Sequence, residues 1–341
     1  MTHEPHVVVV ILNWNGKADT LECLQSVRAV AYPNFEIVVV DNGSADDSVP
    51  AIKAHFPGVS VIETGENLGY AGGNNVGMRY GIQQGADYVL LLNNDTVVDP
   101  SLLTALTRAA RTVGDDAILA AQIYFHSEPE RIWYAGARIM PETATTYHEG
   151  YGTVSAGAPR PGVVETGYAS GCAFFINTRL LSRVGLFDER FFLLYEETDL
   201  CSRARNLGVK SYVVPEARVW HKVSASFGGM ESPAYIYFHF RNRLLWAEKH
   251  LRLGPRIMVY GRVLRELLSV LRPPTFRGAA LPTGEPGPRV RLRPSEYVAV
   301  LAARYRSPLL RARLRGARDY VLRRFGPPRA AVASSSGSRR A

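Results

Sequence analysis

The N-terminal part of the chain alternates short runs of aliphatic, mostly β-branched residues with stretches of helical character. The apolar runs are VVVVIL (7–12), FEIVVVD (35–41), VSVIE (59–63) and YVLLLNND (88–95). Helical segments are expected between them, near 19–30, 46–55 and 73–84. Short continuous apolar runs separated by helices are typical of buried parallel strands with helical crossovers. The pattern therefore predicts an α/β protein built on a doubly wound sheet.

Three of these predicted strands end in polar residues. The polar residues at the strand ends are Asn13, Asn15, Asp41, Asn93, Asn94 and Asp95. Ligands of open α/β sheets collect at the carboxyl ends of the strands. Asn and Asp also favour tight turns, but three polar strand ends together predict one ligand-binding crevice.

Two carboxylates in this crevice are candidates for specific contacts. Asp95 follows two side-chain amides just past a buried strand, which suits a hard divalent cation that carries a diphosphate. An Asx turn gives the same pattern. The Asp41 carboxylate could accept the imino proton of a uracil or thymine ring. Neither residue decides the function by itself.

A second acidic group, YEETD (195–199), opens a predicted helix that ends near Gly208. Glu196 and Asp199 lie three residues apart and share a helix face, while Glu197 points elsewhere. Acidic residues stabilise helix N-termini by about 0.3–1 kcal/mol each. Carboxylates this close together also repel one another, which costs stability unless a cation or substrate offsets it. Such a cluster can hold a general base, and we favour that role over capping.

The charge of the chain is unevenly distributed. Residues 231–341 hold 23 of the 40 Lys and Arg residues but only 6 of the 31 Asp and Glu residues. An acidic body with a basic tail indicates contact of the tail with nucleic acid or a membrane surface. Aromatic residues alternate with arginines in two helical segments after Ser232, which predicts an interfacial helix pair whose arginines meet anionic phosphates. These aromatic residues are Tyr235, Tyr237, Phe238, Phe240, Trp246 and Tyr260.

The composition and the remaining motifs exclude several classes of protein. Cys23, Cys172 and Cys201 stand in unrelated contexts and are expected to be reduced thiols, neither a metal cluster nor a disulfide framework. The chain has no run of 18 apolar residues and begins without a signal peptide, so we expect neither secretion nor a membrane span. The turn NWNGKADT after the first strand has one glycine, whereas a nicotinamide dehydrogenase needs GxGxxG there. The acidic body also argues against nucleic acid as the partner.

Taken in order, the motifs resemble those of family-2 inverting glycosyltransferases with the GT-A fold. They are VVVVILNWNG, VVVDNGSADDS, ENLGYAGGNNVG, YVLLLNNDT, GCAFFINTRLLSRVGLFDERFFLLYEETDLCSRARNLG and VWHKVSASFG. RNRLLWAEKH resembles the rhamnosyltransferase-like branch, and the likeness spans about residues 5–250. It implies a mixed α/β sheet with a basic helical C-terminal extension.

The resemblance implies roles for individual residues. Asn93, Asn94 and Asp95 occupy the DxD-like metal motif; asparagine replaces its first aspartate, which leaves Asp95 as the surest ligand of Mg²⁺ or Mn²⁺. His221 matches a position that completes the metal or diphosphate shell, although a lone histidine is more often structural. The nucleotide-sugar is expected at Asn13, Asn15, Asp41, Asn67, Gly72, Asn93 and Asn94.

The catalytic base departs from the family pattern. That pattern reads roughly Glu-Asp-x-Asp, and the aspartate of the Glu-Asp pair takes the proton of the acceptor. Here Glu197 holds that place, and glutamate performs the same chemistry with one more methylene. The candidates therefore remain Glu196, Glu197 and Asp199, of which we favour Glu197.

These expectations define a reaction and a place in the cell. The donor is expected to be dTDP-rhamnose, with a UDP-sugar as the alternative, and the acceptor a polyprenyl-linked glycan of cell-wall or surface polysaccharide synthesis. The protein is expected at the cytoplasmic face of the plasma membrane, held on anionic lipid by its C-terminal region. A non-catalytic sugar-nucleotide-binding or scaffold protein is the other alternative.

The expected domain organisation has a catalytic domain (1–230) divided near residue 100 into a donor half and an acceptor half. A basic helical region (231–325) containing six prolines in a linker (273–294) follows, and the tail (326–341) is expected to be disordered.

Overall fold

A computed structural model of the protein describes residues 4–155, 162–223, 232–269 and 305–327, with a few further positions between 276 and 302. Most of the predicted proline-rich linker (273–294) lies outside the described residues. The same holds for the predicted disordered tail beyond residue 327.

The chain folds into a mixed sheet flanked by helices. The strands are β1 Val7–Asn13, β2 Phe35–Asp41, β3 Ser60–Glu63, β4 Tyr88–Asn93, β5 Thr96–Val98, β6 Ala117–Phe125, β7 Ile132–Tyr134, β8 Ala137–Met140, β9 Thr145–His148, β10 Val164–Thr166, β11 Ala173–Asn177, β12 Lys210–His221, β13 Phe276–Arg277 and β14 Arg289–Val290. The helices are α1 Lys17–Arg28, α2 Ser48–His55, α3 Gly69–Gln83, α4 Leu102–Val113, α5 Thr178–Val184, α6 Glu196–Asn206, α7 Pro233–His250, α8 Leu253–Leu268 and α9 Pro308–Val321.

The main sheet has the order β10-β12-β6-β11-β4-β1-β2-β3. β1, β2, β3 and β4 are parallel, whereas β11 runs antiparallel between β4 and β6. β12 is parallel to β6, and the short β5 folds back against the end of β12. The predicted doubly wound mixed α/β sheet is therefore confirmed.

The continuous apolar runs became the central strands because both of their faces are covered. Val7 to Ile11 of β1 are at most 1% exposed, and β4 is buried in the same way. The register places Asn13 beside Asp41 and Leu12 beside Asn93. The polar strand ends therefore meet at one edge of the sheet, as predicted.

Helix boundaries differ from the predictions at one informative place. α3 begins at Gly69, four residues before the expected start at Gly73. The glycines of GYAGG favour a loop in isolation, but Ala71, Gly72 and Gly73 are buried in the helix. Tertiary packing therefore outweighs the low helix propensity of this segment.

The C-terminal helices form part of the body of the protein. Tyr237, Phe238, Phe240 and Trp246 of α7 are buried, and so are the guanidinium groups of its arginines. The prediction that this helix presents aromatic residues and arginines to a lipid surface is therefore wrong for α7. The sequence pattern shows that a helix carries both apolar residues and arginines, but it does not show which part of the protein packs against each face.

The predicted last basic helix (295–325) is present as α9, which is shorter, and part of its expected N-terminal half lies outside the described residues. Within the described part of the chain, no helix has the length and apolarity needed to cross a membrane.

Candidate active site

The first part of the site is a hydrogen-bonded group at the ends of β1 and β2. The Asn13 side-chain amide donates to Asp41 Oδ1 at 2.7 Å and to Ser44 Oγ at 3.1 Å. Asp41 Oδ2 accepts from the backbone N–H of Ser44 at 3.0 Å. Asn15 accepts from the backbone N–H of Ala45 at 2.7 Å and has a left-handed backbone (φ 52°). These bonds fix the Asp41 carboxylate at the sheet edge.

Asn67 holds the loop that leads into α3. Its Oδ1 accepts from the Asn42 amide at 3.1 Å and from the backbone N–H of Gly69 at 2.8 Å. The backbone N–H of Leu68 donates to Asn42 Oδ1 at 3.0 Å. Gly72 follows as a buried residue in the first turn of α3. This pairing attaches the start of α3 to the end of β2, beside Asp41.

The third strand end, after β4, is tied to the first. Asn94 donates to Thr20 Oγ1 at 2.9 Å, and Thr20 in turn donates to Asn13 Oδ1 at 2.8 Å. Asn93 closes β4, where its backbone N–H donates to the Cys172 carbonyl at 3.0 Å. The ends of β1, β2 and β4 thus form one connected polar edge.

Asp95 and His221 lie side by side because of the short strand β5. β5 pairs antiparallel with the end of β12 in a register that places His221 opposite Thr96. His221 Nε2 is 3.1 Å from Asp95 Oδ1, and both residues are less than a tenth exposed. Burial opposes the charged form, but Cys172 and Asp95 outweigh it and raise the pKa of His221 to about 10. Asp95 thus holds a proton on the imidazole that a divalent cation would replace.

The donor set fits a cation that is shared with a substrate. Within the described residues, no group of three or more His, Cys, Asp or Glu side chains forms a complete metal cage. Mg²⁺ and related ions are usually bound by one or two protein ligands, with phosphate oxygens and water completing the shell. The Asp95 carboxylate and the His221 imidazole supply two such ligands. His221 Nδ1 is buried and has no hydrogen-bond partner among the described residues.

Glu197 is the carboxylate that is best suited to accept a proton. It lies in the first turn of α6, and backbone N–H groups of Glu197, Thr198 and Gly171 stabilise its charged form. Burial outweighs these bonds and raises the pKa of Glu197 to about 7. Its Oε2 is buried and has no hydrogen-bond partner in the part of the chain that the structure describes. A general base needs such a pKa and such an unoccupied oxygen.

Glu196 and Asp199 lie in two different environments. Burial and the neighbouring Glu197 raise the pKa of Glu196 well above its usual range. Asp199 is fully buried and paired with Arg203 at 2.9 Å, Lys249 at 2.7 Å and His250 at 2.7 Å. Despite burial, these partners lower the pKa of Asp199. Its oxygens are therefore committed to ion pairs.

A single turn connects the proposed base with the sheet edge. The backbone N–H of Gly171 lowers the pKa of Glu197, and the Gly171 carbonyl accepts from Tyr70 Oη at 2.5 Å. The next residue, Cys172, bonds Asn93 through its carbonyl and raises the pKa of His221. Residues 171–172 therefore lie between Glu197 on one side and the Asp95–His221 pair on the other.

Sequence reasoning missed several residues of this site. Thr20 lies in the first turn of α1, and a hydroxyl there could have been noticed as a link between strand ends. Tyr70 and Cys172 have no local signal, because only the tertiary structure places them between the two acidic groups. The three cysteines are free thiols, as expected, and the structure buries all of them.

Comparison with known proteins relates this geometry to one family. Residues 8–175, which contain the polar edge and the turn at 171–172, match the family model described as Glycosyl transferase family 2.

Two curated relatives are similar over most of their length. An N-acetylglucosaminyl-diphospho-decaprenol L-rhamnosyltransferase of Mycobacterium tuberculosis is 28% identical over 246 residues, covering 67% of this chain and 79% of the relative. The dTDP-rhamnosyl transferase RfbF of Shigella flexneri is 22% identical over 283 residues, covering 77% of this chain and 88% of the relative.

A solved structure supports the fold. It is the mannosyltransferase PcManGT of Pyrobaculum calidifontis in complex with GDP-Man and Mn²⁺. The two chains superpose with a TM-score of 0.50 at 15% identity, over 94% of this chain and 88% of that one. Residues 8–175 therefore form a Glycosyl transferase family 2 domain, and the mixed sheet and the likeness to this structure show that it has the GT-A fold.

Proposed function

We propose that this protein is a metal-dependent inverting glycosyltransferase that transfers L-rhamnose from dTDP-rhamnose to a polyprenyl-linked glycan. The observation that carries the proposal is the turn at 171–172: the backbone N–H of Gly171 stabilises the Glu197 carboxylate, while Cys172 raises the pKa of His221 and accepts a hydrogen bond from Asn93, two residues before Asp95. A base and a diphosphate site on two sides of one turn are what a single displacement at a sugar carbon requires.

The residues of the polar edge would bind the donor. Asp41 has carboxylate lone pairs that can accept the imino proton of the base, and Asn13, Asn15 and Asn67 shape the loops around it. Asp95 and His221 would hold Mg²⁺ or Mn²⁺, which when bound neutralises the charge that develops on the leaving nucleoside diphosphate.

Glu197 would remove the proton from the acceptor hydroxyl as its oxygen attacks the anomeric carbon. The new carbon–oxygen bond forms on one face of the sugar while the bond to the diphosphate breaks on the other, so the anomeric configuration inverts. The proton ends on Glu197 Oε2, and the electron pair of the broken bond leaves with the diphosphate. Glu196 would remain protonated beside it because of its raised pKa.

The choice of donor and acceptor rests on the two relatives. Their names specify rhamnosyl transfer in both cases, dTDP in one and a decaprenyl-diphosphate acceptor in the other. A UDP-sugar donor is the alternative within the same mechanism. A non-catalytic nucleotide-sugar-binding protein is the alternative outside it, because Glu replaces Asp at the base position.

The proposed place of action is the inner face of the plasma membrane, and α8 would provide the contact. Leu253, Ile257, Leu264 and Leu268 fall on one side of this helix and are 49–69% exposed, while Val259 and Val263 face the protein. Exposed arginines flank the apolar residues. An exposed apolar stripe beside cations is typical of helices that lie in the interface of an anionic membrane.

Thermal unfolding with dTDP, UDP, GDP and NAD, each with and without Mn²⁺, tests the donor site. Saturation at about a hundredfold over the dissociation constant adds roughly 2.7 kcal/mol to the free energy of unfolding. We expect a Mn²⁺-dependent shift with dTDP that is lost in Asp95→Ala and kept in the control Asp99→Ala. A larger shift of the midpoint with UDP would indicate a UDP-sugar as the donor. A shift with NAD alone would contradict the proposal.

Transfer measured by release of dTDP tests catalysis. Glu197→Gln should lower kcat by about 10²–10⁴-fold while the thermal shift with dTDP and Mn²⁺ is unchanged. Glu63→Gln, which changes an exposed glutamate, is the control. A wild type that binds dTDP and never turns over would support the non-catalytic alternative.

Sedimentation with phosphatidylglycerol vesicles tests the membrane contact. Ile257→Glu combined with Leu264→Glu should lower the bound fraction about tenfold or more, because two apolar side chains leave the interface and two negative charges enter it. Leu207→Glu, at a leucine of similar exposure beyond α6, should bind as the wild type does. Equal binding by all three proteins would remove α8 from the proposal.

A further inference from the structure

The turn that leads into α6 has an unfavourable backbone conformation. Phe192, Leu194 and Tyr195 have positive φ angles of 62°, 69° and 79°, and none of them is glycine. The left-handed region costs free energy for side chains of this size. Such a turn persists only where its surroundings hold it, and Glu196 and Glu197 follow directly after it.

The side-chain amide of Asn242 in α7 lies within hydrogen-bonding distance of three carbonyl oxygens of this turn, which share its two N–H groups. Its Nδ2 lies 2.9 Å from the Phe191 carbonyl oxygen and 2.7 Å from those of Leu193 and Leu194. The side chain is completely buried. One amide group therefore provides hydrogen bonds to carbonyls that form none within a helix or strand, because the backbone here has positive φ angles.

Arg241 fixes the orientation of that amide. Its Nε donates to Asn242 Oδ1 at 3.0 Å, so the amide nitrogen must face the turn. Its Nη2 donates to the Phe191 carbonyl at 2.7 Å, and its Nη1 donates to the Gly326 carbonyl at 2.8 Å. The guanidinium group is fully buried and is therefore not exposed to a lipid phosphate.

The other side of the turn rests on the start of α3. The backbone N–H of Ala71 donates to the Phe192 carbonyl at 3.1 Å. Gly69 has φ 73°, and a Cβ there would come within 2.4 Å of the same oxygen. The turn is thus held between the proposed donor loop and α7.

We propose that the Arg241–Asn242 pair is a positioning device for the transfer reaction. It holds residues 191–195 in the strained conformation that directs the Glu197 carboxylate to the acceptor hydroxyl. Neither residue touches the reacting atoms. This inference rests on the proposed function, because it takes Glu197 as the base.

The ionisable groups around Glu197 allow a specific test. On its own helix they are Glu196, Asp199 and Cys201, and elsewhere they are Tyr70, Tyr134, Tyr168, Tyr195 and Tyr235; the cysteine and the tyrosines have raised pKa values that keep them neutral near pH 7. The acid limb of the kcat–pH profile therefore reports the carboxylates. If the turn relaxes and Glu197 gains water, this limb moves to lower pH.

The experiment compares Asn242→Leu with Leu245→Ala in the full chain, each assayed below its own unfolding midpoint. Asn242→Leu keeps the number and branching of the side-chain heavy atoms but loses the donors, whereas Leu245 is equally buried on α7 and has no side-chain donor. We expect Asn242→Leu to lower kcat about tenfold or more, to leave the dTDP–Mn²⁺ thermal shift unchanged and to move the acid limb down. Arg241→Lys should show a smaller effect in the same direction.

One outcome would contradict the inference, and a different one would contradict its premise that Glu197 is the base. If Asn242→Leu keeps kcat within about twofold and the acid limb stays in place, as in Leu245→Ala, the pair has a structural role only. If Glu197→Gln retains full turnover, the proposed base is wrong and the positioning role falls with it.

Discussion

At the scale of the residue, three carboxylates within one helical turn acquire different properties from their surroundings. Glu196 is buried and Glu197 is half-buried; each has a buried oxygen without a hydrogen-bond partner among the described residues, and the pKa values of both rise. Asp199 is buried among Arg203, Lys249 and His250, and its pKa falls. Burial raises the pKa of all three, so the presence or absence of cations decides the sign.

The pH dependence of turnover should reflect Glu197. A base must be unprotonated to act, and a pKa of about 7 makes the unprotonated fraction rise with pH through neutrality. We expect kcat of the wild type to increase about tenfold per pH unit below 7 and to level off above it. A profile that is flat from pH 5 to pH 8 would contradict this assignment.

The stability of two variants should change in opposite directions. The raised pKa of Glu196 makes its burial increasingly unfavourable as the pH rises above the ordinary value of 4.5. The lowered pKa of Asp199 contributes stability above 3.8 that is lost as the pH falls below it. At pH 8 we expect Glu196→Gln to raise the free energy of unfolding by about 1 kcal/mol. Asp199→Asn should lower it by about 3 kcal/mol.

Urea unfolding at pH 8 and pH 5 measures both effects. The gain in Glu196→Gln should shrink at pH 5, whereas the loss in Asp199→Asn should persist because Asp199 is still charged there. The same sign for both variants at pH 8 would show that the two environments do not differ as described.

At the scale of the element, α7 connects the catalytic turn with the C-terminal part of the chain. Arg241 and Asn242 bind the turn before α6, Tyr237 donates to Asp319 of α9 at 3.0 Å, and Trp246 donates to Ser202 of α6 at 3.3 Å. α7 thus contacts the proposed base helix on one side and α9 on another.

The close approach of α9 to α7 gives a matched pair of glycine substitutions. A Cβ at Gly316 would lie 2.6 Å from the Tyr237 carbonyl oxygen and 3.2 Å from the Arg241 nitrogen, both backbone atoms. We expect Gly316→Ala to lower the free energy of unfolding by about 1–3 kcal/mol. A Cβ at Gly261 in α8 would have no atom within 4 Å. Gly261→Ala should therefore raise the free energy of unfolding by up to about 1 kcal/mol, because alanine favours a helix more than glycine does. Equal effects would mean that α9 does not pack as described.

At the scale of the whole molecule, the basic C-terminal region is both a structural part and a surface. The arginines of its first two helices belong to two groups, since those of α7 are buried while Arg262 and Arg265 of α8 are exposed. The uneven charge of the chain therefore does not translate as a whole into a surface for anions. Among the described residues, α8 carries the larger set of exposed apolar residues beside exposed arginines, and α9 presents a smaller one with Leu314 and Val321.

Removal of residues 305–341 should therefore disturb the catalytic turn. Arg241 would lose the Gly326 carbonyl, Tyr260 would lose Tyr320 at 2.6 Å, and buried Leu310 would be missing from the core. We expect one unfolding transition with a midpoint lower by roughly 5 °C or more, together with reduced turnover. An unchanged midpoint in calorimetry would show that α9 is dispensable.

The sequence by itself determined the four parallel strands β1 to β4 and the polar edge. Continuous apolar runs are long enough to be buried on both faces, and the residues after them need water, a turn or a ligand. The order of the motifs also gave the family. These are local properties, and the structure has them at the predicted positions with shifts of a few residues in the helices.

Only the tertiary structure decided which of these residues meet. His221 reaches Asp95 because three residues of β5 fold back onto β12, and such a short strand has no distinct periodicity. Arg241 and Asn242 look like solvated residues in the sequence, but carbonyls about 50 positions away in the chain satisfy them. Glu197 is the candidate base because its Oε2 is buried and no cation among the described residues lowers its pKa. The charge, exposure and hydrogen bonding of a residue depend on neighbours that are distant in the sequence, and a local sequence pattern does not identify these neighbours.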